Sequence, residues 1–114
     1  METYERFEIV KVPFPFTDRP AAKTRPALVL SDGSAFNDAI GQSVMAMITT
    51  AHHSQWPLDT PIVAWTDAGL PAASVIRLKL FTLDQRLILA RWGRLGTADQ
   101  AAFTANLKRL LALT

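Results

Sequence analysis

The stretch Ser74–Leu83, SVIRLKLFTL, has the most regular alternation of side chains in this chain of 114 residues. Successive residues of a β-strand face opposite sides of the sheet. The even-numbered side is apolar at its centre, where Ile76 and Leu78 lie, and the odd-numbered side carries two positive charges, Arg77 and Lys79. We therefore predict a strand with one apolar face toward a core and one basic face.

Five other stretches have the composition of short strands, and turn-forming residues separate them. These stretches are Phe7–Phe14, Arg25–Ser31, Ser43–Thr50, Pro61–Trp65 and Leu87–Leu95. Pro13 and Pro15 have no backbone N–H to donate, so we expect them to end the first strand or to place it at a sheet edge. Thr17–Thr24 and Ala51–Asp59 are interpreted as loops.

A helix is predicted after the last strand. Thr97 and Gln100 fit a capping box, and Asp99 lies in the first turn, where the helix dipole favours an anion. Apolar residues at helical spacing would form the face that packs on the sheet, namely Phe103, Leu107, Leu110 and Leu111. Five or six short strands followed by one amphipathic helix predict a small antiparallel barrel or sandwich with the helix packed against it.

The composition is typical of one soluble domain, which we assign to residues 1–114. Hydrophobic residues make up 49% of the chain, which is enough for a core, yet no apolar run approaches the roughly 18 residues of a membrane span. Residues 1–11 show no secretory leader, so we expect a cytoplasmic protein that does not enter a membrane. Because the chain has no cysteine, disulfides, thiolate metal sites and a cysteine nucleophile are excluded.

The positive charge is concentrated in the second part of the chain. Residues 1–67 carry five basic and eight acidic side chains, and residues 68–114 carry seven basic and two acidic ones. The net charge of +2 therefore divides into −3 and +5. A basic surface in so small a domain permits a polyanionic partner such as nucleic acid or an acidic peptide, although it does not require one.

Few residues stand out as candidates for chemistry on their own. Neither a glycine-rich phosphate loop nor a nucleophile elbow is present in the sequence. His52 and His53 could bind a metal ion or act as acid and base, or could be solvated without a role. The indole rings of Trp56, Trp65 and Trp92 could stack on nucleobases or could pack in the core. Both alternatives stay open for the two histidines and for the three tryptophans.

The chain resembles a known family through four stretches that occur in a fixed order. They are FEIVKVPFPFTD (7–18), KTRPALVLS (23–31), VMAMITT (44–50) and SVIRLKLFTLDQRLI (74–88). Together they resemble the MazF/PemK (CcdB-like) toxins of bacterial toxin–antitoxin systems, and the resemblance covers nearly the whole chain. Each stretch is a weak signal by itself, whereas the ordered set with matching spacing is specific.

The resemblance implies an SH3-like antiparallel β-barrel with a C-terminal helix, usually assembled as a homodimer. It also implies the toxin of a type II toxin–antitoxin system, with the activity of an endoribonuclease that cleaves single-stranded RNA. This activity needs no metal and no cofactor in the family. The implied partners are single-stranded RNA and a cognate antitoxin, whose acidic or apolar tail covers the active groove.

The resemblance also implies which residues act on RNA. The catalytic positions of the family fall on Arg25, Thr49 and Arg77. RNA contacts are expected from Lys23, Thr24, Thr50, His52 and Lys79, and the register between Thr49 and Thr50 stays open. These residue types suit the reaction, because attack by the 2′-OH creates a dianionic phosphorane that a guanidinium fork stabilises. A threonine hydroxyl donates to another phosphate oxygen or orients the 2′-OH.

This sequence departs from the family pattern at three positions. Lys79 stands where some members have a carboxylate, and the loop before Arg25 lacks the acid that other members have there. The general base is therefore unassigned, with Asp18, Glu8 and His52 as candidates. Phe7 stands where many members have a glycine.

Two alternatives from other functional classes remain. The first is a non-catalytic CcdB-like binder, either a gyrase poison or a degenerate module that binds RNA or antitoxin. The terminal LKRLLALT lacks the aromatic residue that gyrase poisoning would favour. The second is a small SH3-like adaptor that binds a peptide.

Overall fold

The computed structural model describes residues 3–14, 23–51 and 55–113, which form one curled sheet and a C-terminal helix. Within these residues the sheet has six strands, all paired antiparallel, in the order β4-β5-β3-β2-β1-β6. The strands are β1 (Glu8–Phe14), β2 (Lys23–Val29), β3 (Gln42–Thr50), β4 (Thr60–Pro61), β5 (Ser74–Asp84) and β6 (Ala90–Arg94). The predicted fold class, a small SH3-like antiparallel β-barrel with a C-terminal helix, is confirmed, and the sheet curls into a half-barrel.

Apolar side chains cover both faces of the sheet. Successive residues of its central strands point to opposite faces, and both sets of residues are apolar. One core lies between the sheet and α2 (Thr97–Leu110), and it includes Ile9, Leu28, Ile48 and Phe103. The other core lies on the opposite face, and it includes Val10, Val29, Met45 and Leu83. We call the first the helix face and the second the open face.

Short helical segments join the strands. A π-helical turn (Gly33–Asn37) continues into a single turn, α1 (Asp38–Ile40), between β2 and β3. A 3-10 turn (Gln85–Leu87) separates β5 from β6. The first segment reverses the chain between the paired strands β2 and β3, whereas the second leads from β5 to β6, which pairs with β1.

A bulge interrupts the long strand β5. Ala46 of β3 lies opposite Leu80, whereas the next residue, Met47, lies opposite Arg77. Leu78 and Lys79 therefore have no opposite residue on β3, and the strand bends there. This bend explains why Leu80 is 39% exposed, although the sequence predicts that it shares the buried side of Ile76 and Leu78.

The predicted strand Pro61–Trp65 is wrong in its bounds, because pairing stops at Pro61. The chain then forms successive turns over residues 63–69. The carboxylate of Asp99 accepts the N–H groups of Val63 and Ala64, at 3.1 and 3.0 Å. Two donors that a strand would offer to a neighbour are thus taken by a side chain from α2.

The predicted strand Leu87–Leu95 is wrong at its start, since β6 begins at Ala90. Asp84 accepts the N–H of Arg86 and begins the 3-10 turn that occupies the first predicted residue. The Asp84 carboxylate therefore favours a turn where hydrophobicity alone indicates a strand.

Pro13 lies near the end of β1, where a missing N–H costs least. Its partner on β2 is Thr24, and the pairing of β1 with β6 extends only over residues 8–11. β1 is an inner strand over residues 8–11 only, so Pro13 lies near the end of the strand, where β1 is paired on one side. Pro15 lies outside the described residues.

The start of α2 differs from the predicted capping box. The N-cap is Gly96, and no side chain of the cap residue bonds to the helix. Gln100 instead donates its side-chain amide to the carbonyl of Leu95 at 2.7 Å. Thr97 is therefore the first helical residue, and the predicted box is wrong.

The apolar side of α2 is covered only in part. Phe103 is fully buried and Leu107 packs against the helix-face core, whereas Leu110 and Leu111 are exposed. The predicted packing face therefore holds for Phe103 and Leu107 and is wrong for Leu110 and Leu111. No helix in the described ranges is long and apolar enough to cross a membrane.

Phe7, in the turn before β1, has a left-handed backbone with φ of 73°. Its N–H donates to the carbonyl of Val29 at 2.7 Å, and its carbonyl accepts the N–H of Leu95 at 2.9 Å. These two hydrogen bonds hold the chain in a conformation that glycine adopts with less strain.

Gly93→Ala is expected to lower the free energy of unfolding by about 2 kcal/mol. A Cβ at Gly93 would lie 2.1 Å from the carbonyl oxygen of Ala68, which is backbone and does not rotate away. Gly96→Ala is the matched control, since a Cβ there meets only the Cβ of Ala64 at 3.8 Å. Urea unfolding measures both variants, and equal midpoints would contradict the close approach.

Candidate functional site

Arg25, Thr49 and Arg77 lie on the open face of three adjacent strands, β2, β3 and β5. Met47 at the centre of β3 lies opposite Ala27 on one side and Arg77 on the other. The same register extended by two residues sets Arg25 across from Thr49. Because opposite residues of a sheet share a face, the three side chains point to the same side. Thr49 lies 24 residues after Arg25 and 28 residues before Arg77, so the sheet brings distant parts of the chain to one face. We call these three residues the Arg–Thr–Arg cluster.

The cluster lies at the margin of the open-face core. Thr49 is 8% exposed, Arg77 is buried to a similar degree, and Arg25 is half-buried. A guanidinium in such a position is partly screened from water, so its attraction for a phosphate is stronger than at an open surface.

Thr50 faces the other way. It lies opposite Ser74 on β5, and neighbouring residues of a strand point to opposite faces. Its buried hydroxyl has no hydrogen-bond partner among the described residues. Of the two adjacent threonines, Thr49 is therefore the one that shares a face with Arg25 and Arg77.

The other residues predicted to contact RNA are spread around the cluster. Lys23 and Thr24 are exposed at the start of β2, where Lys23 shares the side of Arg25 and Thr24 has the opposite side. Lys79 is exposed in the bulge of β5. His52 lies outside the described residues, so its prediction is not examined by the structure.

Asp59 forms an ion pair with Arg77 that the sequence analysis missed. Nη2 of Arg77 lies 3.0 Å from Oδ2 of Asp59, and Nε donates to Oδ1 at 3.3 Å. The two side chains are only 11% and 17% exposed. Thr60 of β4 lies opposite Ile76, so the register of β4 with β5 extended by one residue sets Asp59 across from Arg77. In the sequence, the only sign of this ion pair is that Asp59, an acid, directly precedes the short strand β4.

The three tryptophans have different environments. Trp65 and Trp92 pack against the helix-face core. Trp56 is 41% exposed, and its ring centroid lies 5.5 Å from Cζ of Arg77 and 5.9 Å from Nζ of Lys79. The core-packing alternative therefore applies to Trp65 and Trp92, whereas Trp56 lies at the Arg–Thr–Arg cluster.

Glu8, one candidate base, lies away from the cluster. It belongs to β1 and pairs with Arg94 of β6, at the opposite edge of the sheet from β5. Its carboxylate accepts hydrogen bonds from the side chain of Arg91 and from the N–H of Glu5. The second candidate, Asp18, lies outside the described residues, as His52 does.

The two carboxyl groups with lowered pKa values, Asp32 and Asp84, cap the starts of short helical turns. A hydrogen bond from the N–H of Ala35 lowers the pKa of Asp32, and the side chain of Arg86 lowers the pKa of Asp84. Both carboxylates accept hydrogen bonds at the start of short helical turns. Within the described residues, no group of three or more histidines and acids is placed to hold a metal ion.

The comparisons with known proteins identify the fold and the family of this chain. Comparison with curated proteins finds no significant match. Among solved structures, the MazE–MazF complex from Deinococcus radiodurans superposes with a TM-score of 0.76 at 21% identity, with 100% of both chains covered. An endoribonuclease in complex with its cognate antitoxin from a mycobacterial species gives 0.78 at 18% identity, covering 100% of this chain and 98% of the other.

A third structure, the Mycobacterium tuberculosis toxin MazF-mt6, gives a TM-score of 0.73 at 18% identity and covers 94% of this chain and 98% of its own. At these identities the superpositions show a common fold. The sequence profile of the PemK-like, MazF-like toxins of type II toxin–antitoxin systems matches residues 5–111. Since that match spans nearly the whole chain, this protein belongs to the PemK-like, MazF-like toxin family.

Proposed function

We propose that this protein is an endoribonuclease toxin that cleaves single-stranded RNA through attack of a 2′-OH on the adjacent phosphate. The observation that carries the proposal is the Arg–Thr–Arg cluster, which combines two guanidinium groups and a hydroxyl on one face of three strands. These groups are donors aimed at a common side, as stabilisation of a phosphorane requires. Family membership supports the same reaction class.

In the proposed reaction the 2′-oxygen forms a bond to phosphorus and the bond to the 5′-oxygen breaks. The proton of the 2′-OH leaves, the 5′-oxygen gains a proton, and the products are a 2′,3′-cyclic phosphate and a 5′-OH. Arg25 and Arg77 stabilise the charge that develops on the phosphate oxygens. Thr49 donates to a phosphate oxygen or orients the 2′-OH.

Asp59 has a positioning role in this proposal. A guanidinium has five N–H donors, and Asp59 engages Nε and Nη2 of Arg77. The ion pair therefore fixes the orientation of the Arg77 guanidinium within the cluster. The pair thereby holds the guanidinium plane before RNA arrives, which lowers the entropy lost on binding.

The partners follow from the same surface. Solved structures with this fold include toxins bound to a cognate antitoxin, which supports an antitoxin partner for this chain. An acidic antitoxin segment would be attracted to a face that carries Arg25, Arg77 and Lys79. We also propose that residues 1–114 act as one domain, that the protein is a cytoplasmic homodimer, and that it needs no cofactor.

The test is incubation of refolded, antitoxin-free protein with a long single-stranded RNA in excess chelator. We expect cleavage products with 2′,3′-cyclic phosphate and 5′-OH ends. The same RNA made with 2′-O-methyl groups is the matched control and is expected to stay intact, because its attacking hydroxyl is blocked. Intact RNA after incubation with protein of native circular dichroism would contradict the proposal, and gyrase-dependent DNA breaks would then favour the CcdB-like binder.

Asp59→Ala is expected to lower kcat for RNA cleavage by on the order of 10- to 100-fold, because Arg77 loses the partner that orients it. Asp59→Asn keeps an oxygen acceptor for Arg77, so we expect a smaller loss. Single-turnover cleavage of a fluorescent RNA measures both variants. Equal and undiminished rates in the two would contradict a positioning role for Asp59.

A further inference from the structure

Trp56 is an unusual residue to find exposed beside two cations. The residue is 41% exposed, although a large aromatic side chain gains free energy by burial. Lys79 and Arg77 place their charged groups within 6 Å of the ring centroid. The ring and the cations together form a small surface with a flat aromatic part and a basic part.

The backbone around Trp56 is held in place. The N–H of Asp59 donates to the carbonyl of Trp56 at 3.2 Å, and the Asp59 carboxylate is fixed by Arg77. One residue further on, the hydroxyl of Thr60 accepts a hydrogen bond from Asn106 of α2 at 2.9 Å. The indole is thus presented by a segment that both the sheet and the C-terminal helix support.

We propose that Trp56 is a stacking platform for one nucleobase of the bound single-stranded RNA, which rests on the proposed endoribonuclease function. Aromatic side chains in basic grooves bind single strands in this way, because every base has a π-face and every nucleotide has a phosphate. A base on the indole brings its own phosphates close to Lys79 and Arg77. Trp56 therefore sets the position of the strand relative to the Arg–Thr–Arg cluster.

The geometry favours RNA over an acidic peptide at this place. Carboxylate side chains would pair with Lys79 and Arg77 but would leave the indole surface in water. A nucleotide covers the ring and neutralises the cations at once. Stacking does not read the hydrogen-bonding edges of a base, so Trp56 contributes affinity without choosing the sequence that is cleaved.

The test measures binding and cleavage in the full chain with three variants. The binding probe is a fluorescent 2′-O-methyl single-stranded oligonucleotide of random sequence, which binds without being cleaved. Trp56→Ala is expected to weaken binding roughly 5- to 150-fold, whereas Trp56→Phe keeps a π-face and stays close to the wild-type protein. Val63→Ala, an exposed apolar residue in the turn after β4, is the matched control and is expected to bind normally.

An abasic oligonucleotide isolates the stacking contact. Removal of the bases is expected to weaken binding to the wild-type protein and to abolish the difference in affinity between the wild-type protein and Trp56→Ala. In cleavage assays KM is expected to rise in Trp56→Ala with kcat and the cleaved sequence unchanged. Urea unfolding of each variant shows whether a loss of binding comes from a loss of fold.

Several outcomes would overturn the proposal. One is wild-type affinity of a folded Trp56→Ala variant, and another is an equal loss for intact and abasic oligonucleotides. A third is a loss of affinity for an acidic peptide alone, which would assign the surface to the antitoxin. Wild-type protein that binds the oligonucleotide through Trp56 but does not cleave RNA would contradict the endoribonuclease function and not the stacking site.

Discussion

Arg25→Ala is expected to reduce the rate of RNA cleavage by on the order of 100- to 1000-fold, the typical cost of removing one donor to a developing oxyanion. Arg25 shares the open face with Thr49 and Arg77 and lies half-buried at the margin of a core. Its guanidinium offers two parallel donors to a phosphate, and no neighbouring side chain replaces that fork. Single-turnover cleavage of a fluorescent RNA measures the rate, and growth after induced expression provides a cellular readout.

Two variants make the result specific. Arg25→Lys keeps the positive charge but lacks the planar fork, so we expect a rate between those of wild type and Arg25→Ala. Arg94→Ala removes an exposed arginine at the far edge of the sheet and is expected to keep full activity. Full toxicity and a wild-type cleavage rate in well-folded Arg25→Ala would remove Arg25 from the mechanism.

Asp99→Ala is expected to lower the free energy of unfolding by about 3 kcal/mol. The Asp99 side chain is 4% exposed and accepts the N–H groups of Val63 and Ala64. An alanine would leave these two donors without an acceptor and would detach the start of α2 from the turn after β4. Because β4 follows directly on Asp59, we also expect the affinity for RNA to decrease.

The matched control for Asp99 is Asp67→Ala, since Asp67 is an exposed carboxylate in the same turn region, residues 63–69. Its removal is expected to change the unfolding midpoint little. Asp99→Asn keeps one oxygen acceptor and is expected to recover part of the stability. An Asp99→Ala midpoint equal to that of Asp67→Ala would show that the buried hydrogen bonds contribute little.

The face that carries the candidate site could be predicted from sequence in part. Alternation in Ser74–Leu83 indicated a basic side with Arg77 and Lys79, and the structure has Arg77 on the same face as Arg25 and Thr49. The choice between Thr49 and Thr50 could not be predicted, because a shift of one residue reverses every side chain of a strand. Only the pairing with β2 and β5 decides which threonine faces Arg25.

The positions of Asp59 and Trp56 beside the cluster could not be predicted, for a different reason. Both residues lie in a stretch with loop composition. The residues they contact, Arg77 and Lys79, are about 20 residues away along the chain. The alternation of polar and apolar residues predicts which face of a strand is buried. It does not predict which loop of the protein contacts that strand.

The wrong strand bounds share one physical cause. Pro61–Trp65 and Leu87–Leu95 are hydrophobic enough for strands, yet Asp99 and Asp84 take backbone N–H groups near their starts. Side-chain acceptors compete with a sheet for the same donors. Such competition depends on where a carboxylate lies in space, which local propensity does not report.

By itself, the sequence determined the fold class, the family and a basic strand face, because periodicity, order of motifs and charge are local properties of the chain. The tertiary structure decided which threonine joins the two arginines, that Asp59 holds Arg77, and that Trp56 alone of the three tryptophans lies exposed beside the cluster. These decisions come from strand register, the bulge in β5 and long-range hydrogen bonds. Each of them couples residues that are distant in sequence, so no local pattern contains it.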